Sequence, residues 1–352
     1  MIKRWTFTVF ILFLFFSCTR EKPNIRVACD MTSSGYYLIK WETFPPMDGT
    51  VKIYESSSPD SFKMAYPIVE VDIKKGFADI LAIRNLNRSY FKLIFDNNYS
   101  VVTSERIIPL PQLYNFRDLG GYYNEEEGKQ TRWGKIYRSS SIAHASLQDM
   151  AYMNNLGIKT IIDFRNERES FDYPCRYRTE NSYNLPLRGS RVSVFADKIL
   201  SGQMMRNDVI LRLQDAHSFL LENNPDYYIK LFDILLEESN YPLVFYCSLG
   251  KDRSGLAAAL ILLALDIPKE QIISDFMLSN EAIDFHNLFP NAAFAPISIQ
   301  ETMTALYSAN RETITYAFEN IMKEYDTVDL FFEKEFNLTP KKRERLKELL
   351  LY

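Results

Sequence analysis

The sequence of 352 residues predicts a chain in two parts, an all-β sandwich followed by an α/β unit whose central sheet is covered by helices. Three observations carry this expectation. Short segments with apolar and polar residues in alternation run from about Arg26 to Pro109, separated by turn chemistry. Pro109 and Pro111 then interrupt strand periodicity and restrict the residues before them. Beyond them strand-like and helix-like segments alternate, the pattern of a parallel or mixed sheet packed under helices. The expected division is residues 1–18 as a targeting segment, 19–109 as the sandwich and 110–352 as the α/β unit.

The first eighteen residues have the form of an export signal. Lys3 and Arg4 precede an apolar run over 5–16 that is short for a bilayer span and suits a secretory signal. The run ends in Phe15-Phe16-Ser17-Cys18, which resembles the lipobox at which bacterial lipoproteins are cleaved and acylated, although that box usually opens on an aliphatic residue. The resemblance implies lipidation at Cys18 and an exported, membrane-anchored lipoprotein of a bacterial cell envelope; an ordinary cleaved signal and an uncleaved anchor are the alternatives.

In the sandwich, strands are expected at 36–42, 50–55, 77–83, 90–96 and 101–108. Val51 and Ile53 alternate with polar neighbours, and Ser56-Ser57-Ser58-Pro59-Asp60 breaks that strand. The region has the scale of an immunoglobulin-like module and resembles a fibronectin type III domain, with Trp41 as core aromatic. It carries no catalytic constellation, so it reads as a spacer or a recognition module.

In the second part, 159–164 and 242–247 read as buried strands. A helix over 225–237 should be capped by Asn224 with Pro225 in its first turn, and Tyr228, Leu231, Phe232 and Leu235 share one face. The most hydrophobic helix spans 254–266 and stops at Ile267-Pro268, and beyond Glu301 the chain should be nearly all helix, ending in one opened by Thr339-Pro340. Lys341-Lys342-Arg343, interleaved with Glu344 and Glu348, reads as a solvated helix face.

Composition sets limits on function. Hydrophobic residues at 47% and charged residues at 24% describe a globular chain rather than a disordered one. A net charge of −4 and a pI near 5.6 lack the concentrated positive charge that nucleic acid requires. His144, His217 and His286 are far apart without ligand spacing, so they read as incidental and no metal or cofactor is implied. Cys29, Cys175 and Cys247 form no disulfide framework; pairing of Cys247 with Cys175 is conceivable in an oxidising envelope, and an unremarkable free thiol is the ordinary case for Cys175.

Chemistry concentrates in Cys247-Ser248-Leu249-Gly250-Lys251-Asp252-Arg253-Ser254-Gly255. A strand feeds into Cys247 and a helix begins near Ser254, so the intervening backbone must curl around a helix N-terminus. The N–H groups from Ser248 through Arg253 then point at one spot, together with the positive end of the helix dipole, and Gly250 allows the tight turn. Such a cradle suits a phosphate. The same field favours thiolate over thiol at Cys247. Arg253, six residues on, offers a planar fork for two equatorial phosphate oxygens.

These roles compose a mechanism. Cys247 attacks phosphorus in line, an acid protonates the departing oxygen, and water hydrolyses the cysteinyl-phosphate. The Ser254 hydroxyl can hydrogen-bond the thiolate as it leaves. Asp252, inside the loop, is the first candidate acid; Asp197, Asp208 and Asp215 compete from a segment between Arg188 and Asn223 that could fold over the site as a lid.

The loop is similar to that of the bacterial tyrosine phosphatases with a Cys-x-x-Gly-Lys-Asp-Arg-Thr/Ser-Gly signature, within the cysteine-dependent phosphatases. The match extends to Asn115-Phe116-Arg117-Asp118-Leu119-Gly120-Gly121, to Tyr137-Arg138-Ser139, to Ile161-Ile162-Asp163-Phe164-Arg165 and to Asp275-Phe276-Met277-Leu278-Ser279-Asn280. The resemblance runs from about Leu113 to the C-terminus. It implies the cysteine-dependent phosphatase fold, a phosphorylated protein or a phosphoinositide as substrate, and support of the loop by Asn115, Arg117, Asp163 and Arg165, for which a structural polar network beneath the sheet is an equal alternative. In that family the lysine and aspartate of the loop accompany lipid phosphatase behaviour, so Lys251 either adds charge for a multiply phosphorylated headgroup or is a solvated loop cation. Two positions depart from the family: Tyr246 stands where histidine usually precedes the cysteine and cannot carry positive charge, and Ser254 replaces the commoner threonine. A catalytically silent surface-binding lipoprotein is the contrasting expectation.

Overall fold

The computed structural model describes residues 23–82, 88–189 and 192–352. The expected targeting segment over residues 1–18 and the expected lipidation at Cys18 lie outside the described residues.

Among the described residues the chain opens with β1 (Asn24–Met31), β2 (Tyr36–Phe44), β3 (Thr50–Ser56), β4 (Val69–Asp72), β5 (Phe77–Leu81), β6 (Tyr90–Phe95) and β7 (Tyr99–Thr103). They form two antiparallel sheets, ordered β1-β2-β5 and β4-β3-β6-β7. Alternate residues turn inward: Ile39 and Trp41 from β2, Val51 and Ile53 from β3, and Phe91, Leu93 and Phe95 from β6 share one core. Trp41 sits in this core as expected, its indole N–H donating to the Ile73 carbonyl at 2.8 Å. β1 and β4 escape the sequence reading, because both edge strands carry charges and bury little. The last strand ends at Thr103, and residues 105–108 instead turn to pair with the next unit, where the Ile108 N–H donates to the Phe116 carbonyl at 2.9 Å.

A buried arginine ties the two parts together. The Arg88 guanidinium forms an ion pair with Asp118 and donates to the Tyr137 hydroxyl at 3.2 Å and the Glu105 carbonyl at 2.6 Å. Arg106 donates to the Gly120 carbonyl at 2.6 Å and lies 3.9 Å from the Tyr122 ring centroid. Below this joint a cleft of about 640 Å³ opens between Tyr99 and Val101 on one side and Tyr123 and Gln271 on the other; it holds none of the Cys247 loop.

The second unit runs β8 (Arg117–Asp118), β9 (Tyr123–Asn124), β10 (Lys129–Gln130), β11 (Ile136–Ser139), α1 (Leu147–Asn155), β12 (Thr160–Asp163), α2 (Glu167–Asp172) and β13 (Asn181–Asn184). It continues through α3 (Val192–Leu200), α4 (Arg206–Glu222), α5 (Pro225–Leu235), β14 (Leu243–Tyr246), α6 (Asp252–Ala264), α7 (Lys269–Met277), α8 (Ser279–Ala282) and α9 (Phe285–Leu288). It closes with α10 (Ile297–Tyr307), α11 (Arg311–Glu324), α12 (Val328–Phe336) and α13 (Pro340–Leu350). The central sheet has the order β13-β12-β14-β11-β8, parallel except for β8. β14 is its middle strand with all four residues buried, which is why Leu243 to Tyr246 reads as a continuous apolar run. α6 is buried nearly all round, and Ala257, Ala258 and Ala259 let it pack closely under the sheet. None of the described helices is long and apolar enough to cross a membrane.

Two local expectations fail for tertiary reasons. Asn224 stands at the N-cap of α5 but makes no capping bond with its side chain, which accepts from the Arg188 N–H at 2.8 Å and donates to the Leu220 carbonyl at 2.9 Å, pinning the segment after β13. Arg343 is not on a solvated face. It is buried, bonds the Ala264 carbonyl at the end of α6, and pairs with Asp266 and Asp329.

Candidate active site

Cys247 is the first residue after β14 and is buried, so strand register fixes its thiol at the C-terminal edge of the parallel sheet. α6 starts at Asp252, two residues earlier than its sequence reading. Residues 248–251 therefore form the curl. Gly250 has φ +68°, and a Cβ there would lie 2.5 Å from the Ser139 carbonyl oxygen. No other residue type fits this turn. The backbone N–H groups between Cys247 and Arg253 thus open at the N-terminus of a buried 13-residue helix.

A fully buried charge network lies under the loop. Arg138 from β11 donates to the Gly250 carbonyl at 2.6 Å, to the Lys251 carbonyl at 3.2 Å and to Asp275 at 2.7 Å. Arg117 from β8 donates to the other Asp275 oxygen at 3.1 Å and hydrogen-bonds Asn115. Asn115, in the left-handed region at φ +59°, donates to the Leu249 carbonyl at 3.2 Å. Burial alone would raise the Asp275 carboxyl, but Arg117 and Arg138 hold it well below the usual carboxylate range. Burial and the charge of Arg117 together lower the Arg138 guanidinium to about 10.

A second network stands beside the loop. Asp163 accepts from Arg165 at 2.8 Å and from the Tyr246 hydroxyl at 2.9 Å, so Tyr246 serves as a donor to the sheet edge. Arg165 reaches the Ser141 hydroxyl at 3.1 Å, and the Ser141 N–H donates to the Ser248 carbonyl at 3.1 Å. Asn115 and Arg117 thus belong to one support and Asp163 and Arg165 to another.

The Arg253 fork has an acidic partner that the sequence reading missed. Glu169 accepts from Nη1 at 2.7 Å and Nη2 at 2.9 Å, and also from the Ser248 hydroxyl. Burial would raise this carboxyl, but the Arg253 bonds and charge bring it down to about 2. The signal was present as an Asn166-x-x-Glu169 capping box: Glu169 bonds the Asn166 N–H at 2.9 Å, which fixes its position in the first turn of α2. Glu169 takes the end-on edge of the guanidinium, and Nη2 also donates to the Ser248 hydroxyl of the loop at 2.9 Å.

Lys251 departs from the solvated-cation expectation. Its ammonium is buried and donates to the Leu306 carbonyl at 2.8 Å and the Ser308 carbonyl at 3.0 Å, at the C-terminal end of α10. It is therefore no solvated loop cation, and its charge is aimed at the end of a helix dipole. Asp252 stands in the first turn of α6 with its carboxylate partly exposed, 3.5 Å from the Lys251 ammonium. Ser254 is fully buried, its hydroxyl without a hydrogen-bond partner among the described residues. The three competing aspartates are exposed: Asp208 accepts from the Met205 N–H at the start of α4, Asp215 pairs with Arg212 at 3.7 Å, and Asp197 lies in α3.

A buried-cysteine loop at the edge of a parallel sheet, closed by an arginine in the first turn of the following helix, defines the class of cysteine-dependent phosphatases. Residues 108–352 match the family described as "Tyrosine phosphatase family", and the chain belongs to it. Among curated relatives, a Cupriavidus necator protein named "Putative tyrosine-protein phosphatase" is 29% identical over 177 residues, covering 47% of this chain and 60% of its own. The "Triple specificity protein phosphatase PtpB" of Mycobacterium tuberculosis is 22% identical over 197 residues, covering 49% of this chain and 69% of its own. The chain thus spans about three fifths of the length of the first of these relatives. A solved structure of the catalytic core of the PP-IP phosphatase SIW14 from S. cerevisiae overlaps with a TM-score of 0.30 and 16% identity, covering 61% of this chain and 96% of that one.

Proposed function

We propose that this protein is a phosphate monoester hydrolase of broad scope that works through a cysteinyl-phosphate on Cys247, with phosphotyrosine protein as its first substrate class. The observation that supports this reading is the Cys247 loop, wrapped around the N-terminus of α6 and braced from below by Arg138 on the Gly250 carbonyl. Cys247 Sγ attacks phosphorus in line, forming S–P as the P–O bond to the leaving group breaks. Asp252 gives its proton to the departing oxygen. The side-on edge of Arg253 and the loop N–H groups hold the equatorial oxygens, a stabilisation that grows as phosphorus becomes trigonal. Water then attacks phosphorus, Asp252 takes its proton, and the Ser254 hydroxyl donates to the departing thiolate.

The phosphoinositide reading leans on Lys251 as a headgroup contact, and the carbonyls of Leu306 and Ser308 already hold that ammonium. This favours phosphotyrosine as the first substrate; initial rates on a phosphotyrosine peptide against inositol phosphates separate the two. The two antiparallel sheets over residues 24–103 further support an immunoglobulin-like, fibronectin type III-like sandwich in front of a catalytic domain from residue 110. The export signal and Cys18 support a lipid-anchored envelope protein, which an acyl mass on Cys18 in membrane-extracted protein tests. Hydrolysis of p-nitrophenyl phosphate by the purified chain, lost in Cys247→Ser, is the expected result for the activity. No turnover in the unaltered chain, or full turnover in Cys247→Ser, overturns it.

A further inference from the structure

His217 reads as incidental in the sequence, and the structure places it against the candidate acid. It lies on the inner face of α4, fully buried, with its ring edge-on to Phe276 of α7 at 5.9 Å between centroids. Nδ1 is 2.9 Å from the Leu213 carbonyl oxygen, one turn back in the same helix. A carbonyl only accepts, so the ring proton sits on Nδ1. The other nitrogen, Nε2, is buried without a hydrogen-bond partner among the described residues and stands 3.9 Å from Asp252 Oδ1. An unpartnered buried acceptor is costly and needs a reason.

We propose that His217 is a positioning residue for Asp252, its Nε2 lone pair accepting a hydrogen bond from the carboxyl O–H, with the proton staying on oxygen, and so orienting the acid that the first chemical step consumes. This deepens the proposed reaction and rests on the reading of Asp252 as its acid. Closing the gap to a hydrogen bond takes about 1 Å of carboxyl movement, and the Asp252 side chain is partly exposed and first in its helix. The Lys251 ammonium lies 3.5 Å from the same Asp252 oxygen, so the carboxyl stands between a cation and the ring.

The surroundings of the ring agree with a neutral acceptor. Burial lowers its proton affinity from the ordinary histidine value; Asp252 works against that shift and Lys251 adds to it. Among the described residues Asp252 is the one carboxylate within ion-pair distance of the ring, and the Lys251 charge also acts on it. α7 presents the Phe276 ring, α10 presents the carbonyls that hold Lys251, and α11 meets α4 through neutral groups, Asn320 on the Ser218 hydroxyl and the Glu312 carbonyl on Gln214. The histidine thus reaches the loop from the segment read in the sequence as a lid, while the aspartates of that segment face outward.

The test is the pH dependence of kcat/KM for His217→Phe, His217→Gln, Asp252→Asn and the unaltered protein, on phenyl phosphate, a poor leaving group, and on p-nitrophenyl phosphate, a good one. With phenyl phosphate the alkaline limb should move to lower pH by about half to one unit in His217→Phe. His217→Gln, whose amide oxygen can take the place of Nε2, should restore most of it, and with p-nitrophenyl phosphate the limb should hardly move. An unmoved limb in His217→Phe overturns the proposal while Asp252→Asn still loses rate on phenyl phosphate. If Asp252→Asn loses nothing there, the acid assignment itself fails, and this proposal with it. Should His217→Phe fail to fold, the ¹⁵N imidazole shifts of the unaltered protein decide: an Nδ1–H tautomer whose Nε2 signal follows a carboxyl titration supports it, and an Nε2–H tautomer or an imidazolium overturns it.

Discussion

The loop is held by two arginine clusters of opposite character. Beneath it, Arg117, Asp275 and Arg138 are sealed from solvent and spend their donors on one another and on loop carbonyls. At its mouth, Arg253 and Glu169 form a bidentate pair that is partly open to water. The difference separates shape from chemistry. A buried triad can lose no member without leaving a charge uncompensated, whereas the pair at the mouth keeps its guanidinium partly in reach of solvent beside the loop.

The sharpest way to break this comparison is Asp275→Asn, which leaves Arg117 and Arg138 buried without their counter-charge. It should cost about 3–5 kcal/mol of stability, read from the urea midpoint, with activity lost alongside; a cost under about 1 kcal/mol would show that the triad does not shape the loop. Arg253→Lys should behave in the opposite way. Turnover should fall by about a hundred- to a thousand-fold, because an ammonium cannot reproduce the fork, while the urea midpoint stays close to that of the unaltered chain.

The smallest effect is expected at Glu169. Its carboxyl sits at about 2 in the folded protein against an ordinary 4.5, so its contribution to stability is fully present above about pH 4.5 and disappears as pH falls through about 2. Glu169→Gln should therefore be less stable than the unaltered protein at neutral pH, and the two urea midpoints should converge near pH 2. A difference independent of pH would mean that the charge of Glu169 contributes nothing.

What the sequence disclosed follows from how local each signal is. The apolar run of β14, the turn glycine and the helix after it all fall within residues 243–264, so Cys247 and its cradle were legible. Trp41 and the alternation of β3 and β6 were legible for the same reason. Partners distant along the chain were not. Lys251 looked solvated because the carbonyls that hold it arrive from residues 306 and 308. Arg343 looked solvated because Asp266 and Asp329 reach it from other elements. His217 looked isolated because its neighbour Asp252 is brought to it only when α4 packs over α6. Asn224 carried a strong capping signal, and a loop 36 residues upstream competed for its side chain and won.

The Arg88–Asp118 ion pair bears on modularity. Arg88 comes from the chain before the proline junction, yet the carboxylate it neutralises sits one residue from Arg117, and so one covalent step from the triad under the loop. Arg106, which also reaches the Asp118 backbone, lies before the junction as well. A second unit inherited or transplanted without its sandwich would keep the buried carboxylate, lose Arg88, which neutralises it, and lose the Arg106 bond to the Asp118 carbonyl. Recombination at Pro109 would therefore separate residues that depend on one another, and the piece able to move between proteins as a whole is the sandwich together with the sheet it grips.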